Sequence, residues 1–227
     1  SAAGASVGLG NIWRFPYLAA KYGGGIFLLV YIILALTFGY TMIMAETSLG
    51  RMTKKSPVGA YQSFGKSKWL SLGGWINAII PILIVPYYSV IGGWVIKSLI
   101  GYFSVQAQTL ASDTYFSAFI SNGASTEICF IVFTFCTLGI IYAGVQNGIE
   151  RVSKFMMPVL VVLSVIIAIY SVTRPGALEG VKYFLVPNPA NFSWMTVVSA
   201  MGQMFYSLSI AMCILVTFGS YMLKDMS

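Results

Sequence analysis

Ser6-Val7-Gly8-Leu9-Gly10-Asn11-Ile12-Trp13-Arg14-Phe15-Pro16 interrupts an otherwise apolar stretch with two glycines, an amide and an arginine. A plain membrane helix has no use for them. In hydrocarbon, a backbone group freed from a helix must be satisfied by protein, ion or substrate. The device returns at Gly202-Gln203-Met204-Phe205-Tyr206-Ser207-Leu208-Ser209, again polar and glycine-marked among apolar neighbours. Paired interrupted spans point to a transporter's binding site.

Composition agrees with a bilayer. Of 227 residues, 58% are hydrophobic and only 8% charged, against about 25% charged in soluble domains; the mean hydropathy is +0.83. The net charge of +7 comes from basic residues beside apolar spans, so it describes cytoplasmic loops and argues against nucleic acid as a partner. Histidine is absent, which removes the commonest general base and metal ligand. With no H-E-x-x-H and no nucleophile elbow either, no enzyme is expected. Cys129, Cys136 and Cys213 lack zinc-site spacing or a disulfide framework and read as small buried hydrophobes. No signal peptide is visible, and both ends lie against apolar segments, so an internal fragment of a longer chain is expected.

A helical crossing takes about 20 apolar residues. The expected spans are 1–22 (broken), 25–50, 73–104, 127–145, 150–172 and 193–222 (broken), forming a single all-α transmembrane domain. Gly23-Gly24-Gly25 turns between the first two, and Pro81 and Pro86 should bend the third. Loop 51–72 carries Arg51, Lys54, Lys55, Lys66 and Lys68; loop 146–154 adds Arg151 and Lys154, and Lys224 follows the last span. Loop 105–126 has no lysine or arginine, and loop 173–192 has only Arg174 and Lys182. The positive-inside rule then makes the basic loops and the N-terminal side cytoplasmic.

Unwound backbone offers carbonyl oxygens to Na⁺, and a half-helix N-terminus offers N–H groups to an anion. The Gly4, Ser6 and Val7 carbonyls with the Asn11 side chain could cage a cation, while the Leu9 and Gly10 amides could hold a carboxylate. Ser207 and Ser209 add oxygens from the second break, and Tyr88 a hydroxyl. Each has a plainer reading: Gly4 to Gly8 could only let helices pack closely, Ser207 could bond its own helix, and Tyr88 could anchor at the interface. Glu46, near the inner end of the second span, reads as a cap for backbone groups or a partner for a base. Arg14 reads as functional rather than merely snorkelling, given Asn11, Trp13 and Pro16 around it.

These residues resemble the neurotransmitter:sodium symporter family, whose best-known bacterial member is a leucine transporter. Val7 to Pro16 is similar to the first-helix signature, Asn77 to Trp94 to the third helix, and Gly202 to Ser209 to the sixth. The resemblance implies the leucine-transporter-like inverted-repeat fold, here the first repeat plus helix 6 only. One sodium site would use the Ser6 carbonyl, the Asn11 side chain, Ser207 and the substrate carboxylate; another, the Gly4 and Val7 carbonyls. Substrate would lie against Ser6, Leu9, Gly10, Ile84, Tyr88, Tyr206, Ser207, Ser209 and Met212, with Arg14 and Gln203 at the extracellular gate. Tyr31, Gln203 and Ser207 match part of the chloride site found where chloride matters in the family. The location implied is a cell membrane, such as a bacterial inner membrane.

Gly8 stands where monoamine-transporting relatives carry an aspartate, so the substrate should bring its own carboxylate. Ala211 and Met212 replace the family's glycine and aromatic residue after the sixth-helix break, and adaptable methionine suits a bulky apolar or aromatic side chain. The reading is a sodium-coupled symporter importing a neutral amino acid by alternating access. The alternative is a non-transporting amino-acid sensor or channel on the same scaffold. Like charges set side by side cost several kcal/mol, so Gly8→Asp is expected to cut labelled amino-acid uptake by more than about tenfold; undiminished uptake would undo the argument from Gly8.

Overall fold

A computed structural model describes residues 8, 10–65, 67–104 and 112–222. The Gly4, Ser6, Val7 and Leu9 positions lie outside the described residues. What is described is helical, with no β-strand beyond one isolated bridge between Gly24 and Pro187. The chain divides into two compact units, residues 1–80 with 153–227, and residues 81–152.

In the first unit, a π-helical turn over Gly10–Arg14 leads into α1, Phe15–Lys21. Pro16 has no N–H to donate to the preceding turn, so an ordinary α ladder cannot run through this point. Gly23 and Gly24 then turn the chain at positive φ (105° and 59°). A side chain at Gly24 would also overlap Tyr183. The second span is α2, Gly25–Leu34, a π-helical segment over Ala35–Gly39, and α3, Tyr40–Thr53. α4, Pro57–Gln62, follows in the basic loop.

α5, Lys68–Phe103, is assigned as one helix that includes Pro81 and Pro86, beginning five residues ahead of the expected span. In the second unit, α6 (Asp113–Ser121) precedes α7 (Gly123–Tyr142). α7 starts early because the Asn122 side chain accepts the Ser125 N–H at 3.2 Å and caps it. Gly93 lets α5 approach the Cys129–Phe130 backbone of α7, and Trp94 meets Phe116 edge-on with centroids 5.3 Å apart.

A π-helical turn over Val145–Glu150 leads into α8, Arg151–Val172. α9, Ala177–Leu185, and a 3-10 turn over Pro189–Asn191 fill the loop before the sixth span. That span is split: α10 is Trp194–Ser207 and α11 is Ile214–Tyr221. Four stretches are long and apolar enough to cross a bilayer unbroken, Gly25–Thr53, Lys68–Phe103, Gly123–Tyr142 and Asn147–Val172. Among the described residues the sixth span is not one of these, because α10 stops at Ser207 and α11 starts at Ile214.

Ala19 of α1, Phe27 of α2 and Ala200 of α10 are fully buried together and form a core cluster. Phe15 meets Phe27 and Tyr31 edge-on at 5.7 and 5.0 Å. α10 begins with a reciprocal capping box between Ser193 and Thr196, and the Thr196 hydroxyl also donates to the Tyr22 carbonyl at 3.1 Å. Elsewhere in this unit α3 crosses α11 at two glycines. A methyl on Gly50 would overlap the Val216 carbonyl oxygen, and one on Gly219 the Thr47 carbonyl oxygen. Backbones meet there because nothing stands between them.

Overpacking against fixed backbone costs about 1–3 kcal/mol, so Gly50→Ala is expected to lower the thermal midpoint of the full-length protein. Gly139→Ala, where no described atom lies within 4 Å, is expected to be neutral or stabilising by up to about 1 kcal/mol. Equal midpoints for the two variants would remove the crossing from the stability argument.

Candidate functional site

The two interruptions meet. Gln203, fully buried on α10, donates from Nε2 to the Gly10 carbonyl and to Ser207 Oγ, both at 3.1 Å. Ser207 Oγ in turn donates to Asn11 Oδ1 at 2.5 Å. One carbonyl freed by the first break is thus satisfied by a side chain from the second helix. The Asn11 N–H returns to the Gly8 carbonyl at 3.0 Å, closing a tight turn ahead of the π-helical segment. Both ends of this network were readable as polar residues inside apolar spans; their pairing is a tertiary fact.

Gly10 is where the helices come closest. A methyl there would overlap the Tyr206 ring, so only glycine lets that ring approach the first break so closely. The Arg14 guanidinium sits 5.3 Å from the centroid of the same ring, a cation–π contact on an exposed side chain. Arg14 and Gln203, both expected at the gate, therefore occupy different surroundings: Arg14 lies over Tyr206, and Gln203 faces inward to Gly10 and Ser207.

Beyond Ser207 the backbone is unusual. Ser209, Ala211 and Cys213 all have positive φ, 54°, 61° and 63°. Each such non-glycine residue costs about 1–3 kcal/mol, so the surroundings must hold the segment. Glu46 does part of this: its Oε1 accepts the Ala211 N–H at 2.8 Å. The capping role expected of Glu46 is the one it plays here. Ser209 is buried, and Met212 is half-buried in the same segment. No sequence signal marks these left-handed positions, because glycine, their usual occupant, is absent from all three.

The oxygen inventory says what the centre can hold. Both Nε2 hydrogens of Gln203 and the single hydroxyl hydrogen of Ser207 are committed to protein acceptors. Gln203 Oε1 and Glu46 Oε2 are buried acceptors without a hydrogen-bond partner among the described residues. Surplus oxygen suits a hard cation or a donor. Tyr31 packs edge-on against Phe15, with no hydroxyl bond to Gln203 or Ser207 among the described residues. Ile84 and Tyr88 lie on α5 within the other compact unit, where the Tyr87 and Tyr88 rings meet edge-on at 6.0 Å.

Ser207→Ala deletes both bonds of that hydroxyl. At about 1–3 kcal/mol for disrupting a buried polar network, thermal unfolding of the sodium-free full-length protein should show a lower midpoint. An unchanged midpoint would mean that the hydroxyl contributes nothing to joining the two breaks.

Comparison with known proteins adds an independent line. A model of the sodium:neurotransmitter symporter family matches residues 1–115 and 114–227. An uncharacterized sodium-dependent transporter, YhdH of Bacillus subtilis (strain 168), is 36% identical over 99% of this chain and 50% of its own length. The human inactive sodium-dependent neutral amino acid transporter B(0)AT3 is 30% identical over 97% of this chain and 40% of its own. The crystal structure of MhsT in complex with L-phenylalanine superposes with a TM-score of 0.90 at 35% identity, covering 99% of this chain and 52% of that one. The chain thus spans about half the length of the relatives it matches. The fold is theirs over that half, as the family resemblance implied. With both interruptions joined through Asn11, Gln203 and Ser207, and the family match running from end to end, this chain belongs to the sodium:neurotransmitter symporter family.

Proposed function

We propose that the full-length protein is a sodium-coupled symporter that imports a neutral amino acid, bulky and apolar or aromatic, across the cell membrane. The observation that carries this reading is the meeting of Asn11 and Ser207, two oxygen-bearing side chains from separate broken helices. The relatives' descriptions as sodium-dependent transporters and the L-phenylalanine complex of MhsT support it.

Sodium is cargo in this scheme. Asn11 Oδ1 and Ser207 Oγ would face it, joined by the Gly4, Ser6 and Val7 carbonyls that the resemblance implies. For both side-chain oxygens to face a cation, the Ser207 hydrogen must turn away from Asn11 Oδ1. The ion therefore exchanges a helix-to-helix hydrogen bond for shared coordination, which gives it a different affinity for different alignments of the two breaks. Such differential affinity is what lets a ligand shift a conformational equilibrium. The substrate carboxylate would complete the cation's shell and accept from backbone N–H groups at the start of the Gly10–Arg14 turn. Tyr206, close against Gly10 and under Arg14, would close the outer side.

Gly8 offers no carboxylate of its own, in keeping with a substrate that carries one. The committed donors of Gln203 and Ser207 weigh against an anion at Tyr31, Gln203 and Ser207 in this arrangement. Basic loops place the N-terminal side in the cytoplasm.

Sodium-dependent accumulation of labelled L-phenylalanine or another neutral amino acid in proteoliposomes of the full-length protein is the direct test. Binding without accumulation would favour the sensor reading. Asn11→Ala is expected to abolish sodium-dependent binding while leaving membrane insertion intact; unchanged sodium affinity would count against this ligand set.

A further inference from the structure

Loop 51–72, between the second and third spans, carries Arg51, Lys54, Lys55, Lys66 and Lys68 without a single carboxylate. No aspartate or glutamate occurs anywhere between Glu46 and Asp113, and Glu46 is tied to the Ala211 N–H. The other basic loop differs. There Glu150 stands directly beside Arg151, and both Glu150 and Lys154 are engaged within the protein.

The loop is held in shape by its own contacts. α3 ends at Lys54, left-handed at φ 53°, whose ammonium donates to the Met222 carbonyl. α4 then packs on the start of α5, where a methyl on Gly74 would lie 2.9 Å from Val58 Cα. Gln62 Nε2 donates to Ser71 Oγ at 3.2 Å and ties together the two ends of the turn over 63–70. Lys54 is thereby committed to the end of the sixth span, and Arg51 has a partner of its own. Lys55 and Lys68 remain exposed on this scaffold, while Lys66 lies outside the described residues.

The same turn shows aromatic surface. Trp69 is 81% exposed and Phe64 57%. Trp69, Leu72, Ile76 and Ile79 follow at spacings of three and four, all exposed, so an apolar stripe runs from Lys68 along one face of α5 into the span. Tryptophan rings settle at headgroup level in a bilayer, and a neighbouring lysine keeps its methylenes on apolar surface while its ammonium reaches a phosphate. A loop standing in water gains nothing from two bare aromatic rings. One that meets an electrically neutral surface gains little from unopposed cations. An anionic lipid surface satisfies both features at once.

We propose that Lys55 and Lys68, with Phe64 and Trp69, form a docking surface for anionic phospholipid headgroups in the leaflet that loop 51–72 faces. The acyl chains lie along the stripe that begins at Trp69. The competing occupant of the stripe is the remainder of the full-length protein, since this chain spans about half the length of its relatives.

Quenching of Trp69 by brominated lipid separates the two. The full-length protein would be placed in nanodiscs of equal parts phosphatidylcholine and phosphatidylglycerol, with bromine on the acyl chains of one lipid or the other. Subtracting the signal of Trp69→Phe isolates this ring, and varying the brominated fraction gives a relative association constant for each lipid there. Phosphatidylglycerol is expected to be preferred by at least about fivefold, the contribution of one lysine at a charged surface. The preference is expected to fall toward unity in Lys55→Gln with Lys68→Gln and in about 1 M salt, and to return in Lys55→Arg with Lys68→Arg. Equal constants for the two lipids, or a preference that survives the glutamine pair, overturn the proposal. A Trp69 signal that neither lipid quenches also overturns it, because the stripe is then covered by protein. The measurement involves no uptake, so failure to accumulate amino acid would refute the transport reading and leave the lipid surface to be judged separately.

Discussion

Hydrocarbon gives an unwound backbone nothing to bond to, and much of this chain's polar chemistry answers that constraint. The Gly10 carbonyl is taken by Gln203, the Ala211 N–H by Glu46, and the π-segment carbonyls of the second span by Thr37 and Thr41. The start of α10 is closed by Ser193 and Thr196 before it enters the apolar region. Each of these side chains would be costly among plain leucines. Together they allow two spans to stop and restart inside the protein, and the two breaks meet through Asn11, Gln203 and Ser207.

Satisfaction is incomplete at two buried oxygens. Gln203 spends its donors on Gly10 and Ser207 and leaves Oε1 unpaired, while Glu46 uses one carboxylate oxygen and leaves the other. Buried acceptors without partners are rare in proteins. Unpaired buried oxygens of this kind suit a hydrogen-bond donor or a hard cation. The strained turn at Ser209, Ala211 and Cys213 stores conformational cost beside it, where a change of ligand can alter which shape is favoured. Local strain of this kind concentrates where segments switch.

Much of this was legible as residue types. Glycine, asparagine and arginine in one apolar stretch, and glutamine with serines in another, marked both breaks, and the basic loops ordered the crossings. Glu46 was readable as a backbone cap because a lone carboxylate near a span's end has few other uses. Less was legible about shape. Pro81 and Pro86 do not break α5, which continues as one helix through both. Short helices such as α4, α6 and α9 lie in segments read as loops, since runs of this length carry little periodicity. The π segment at Ala35–Gly39 has no composition that separates it from ordinary apolar helix.

The sequence by itself determined that this is a membrane chain with two interrupted spans and a family signature at each, because hydropathy and polar exceptions within it are local properties. Tertiary structure decided which exceptions meet. Ser207 finds Asn11 across 196 residues, Glu46 finds Ala211, and Gly50 finds Val216. Those pairings depend on how helices cross, and crossing is set by backbone contact and side-chain shape summed over whole faces. The left-handed turn at Ser209, Ala211 and Cys213 belongs with them. Without glycine to announce it, only the bonds that hold it in place make that conformation the stable one.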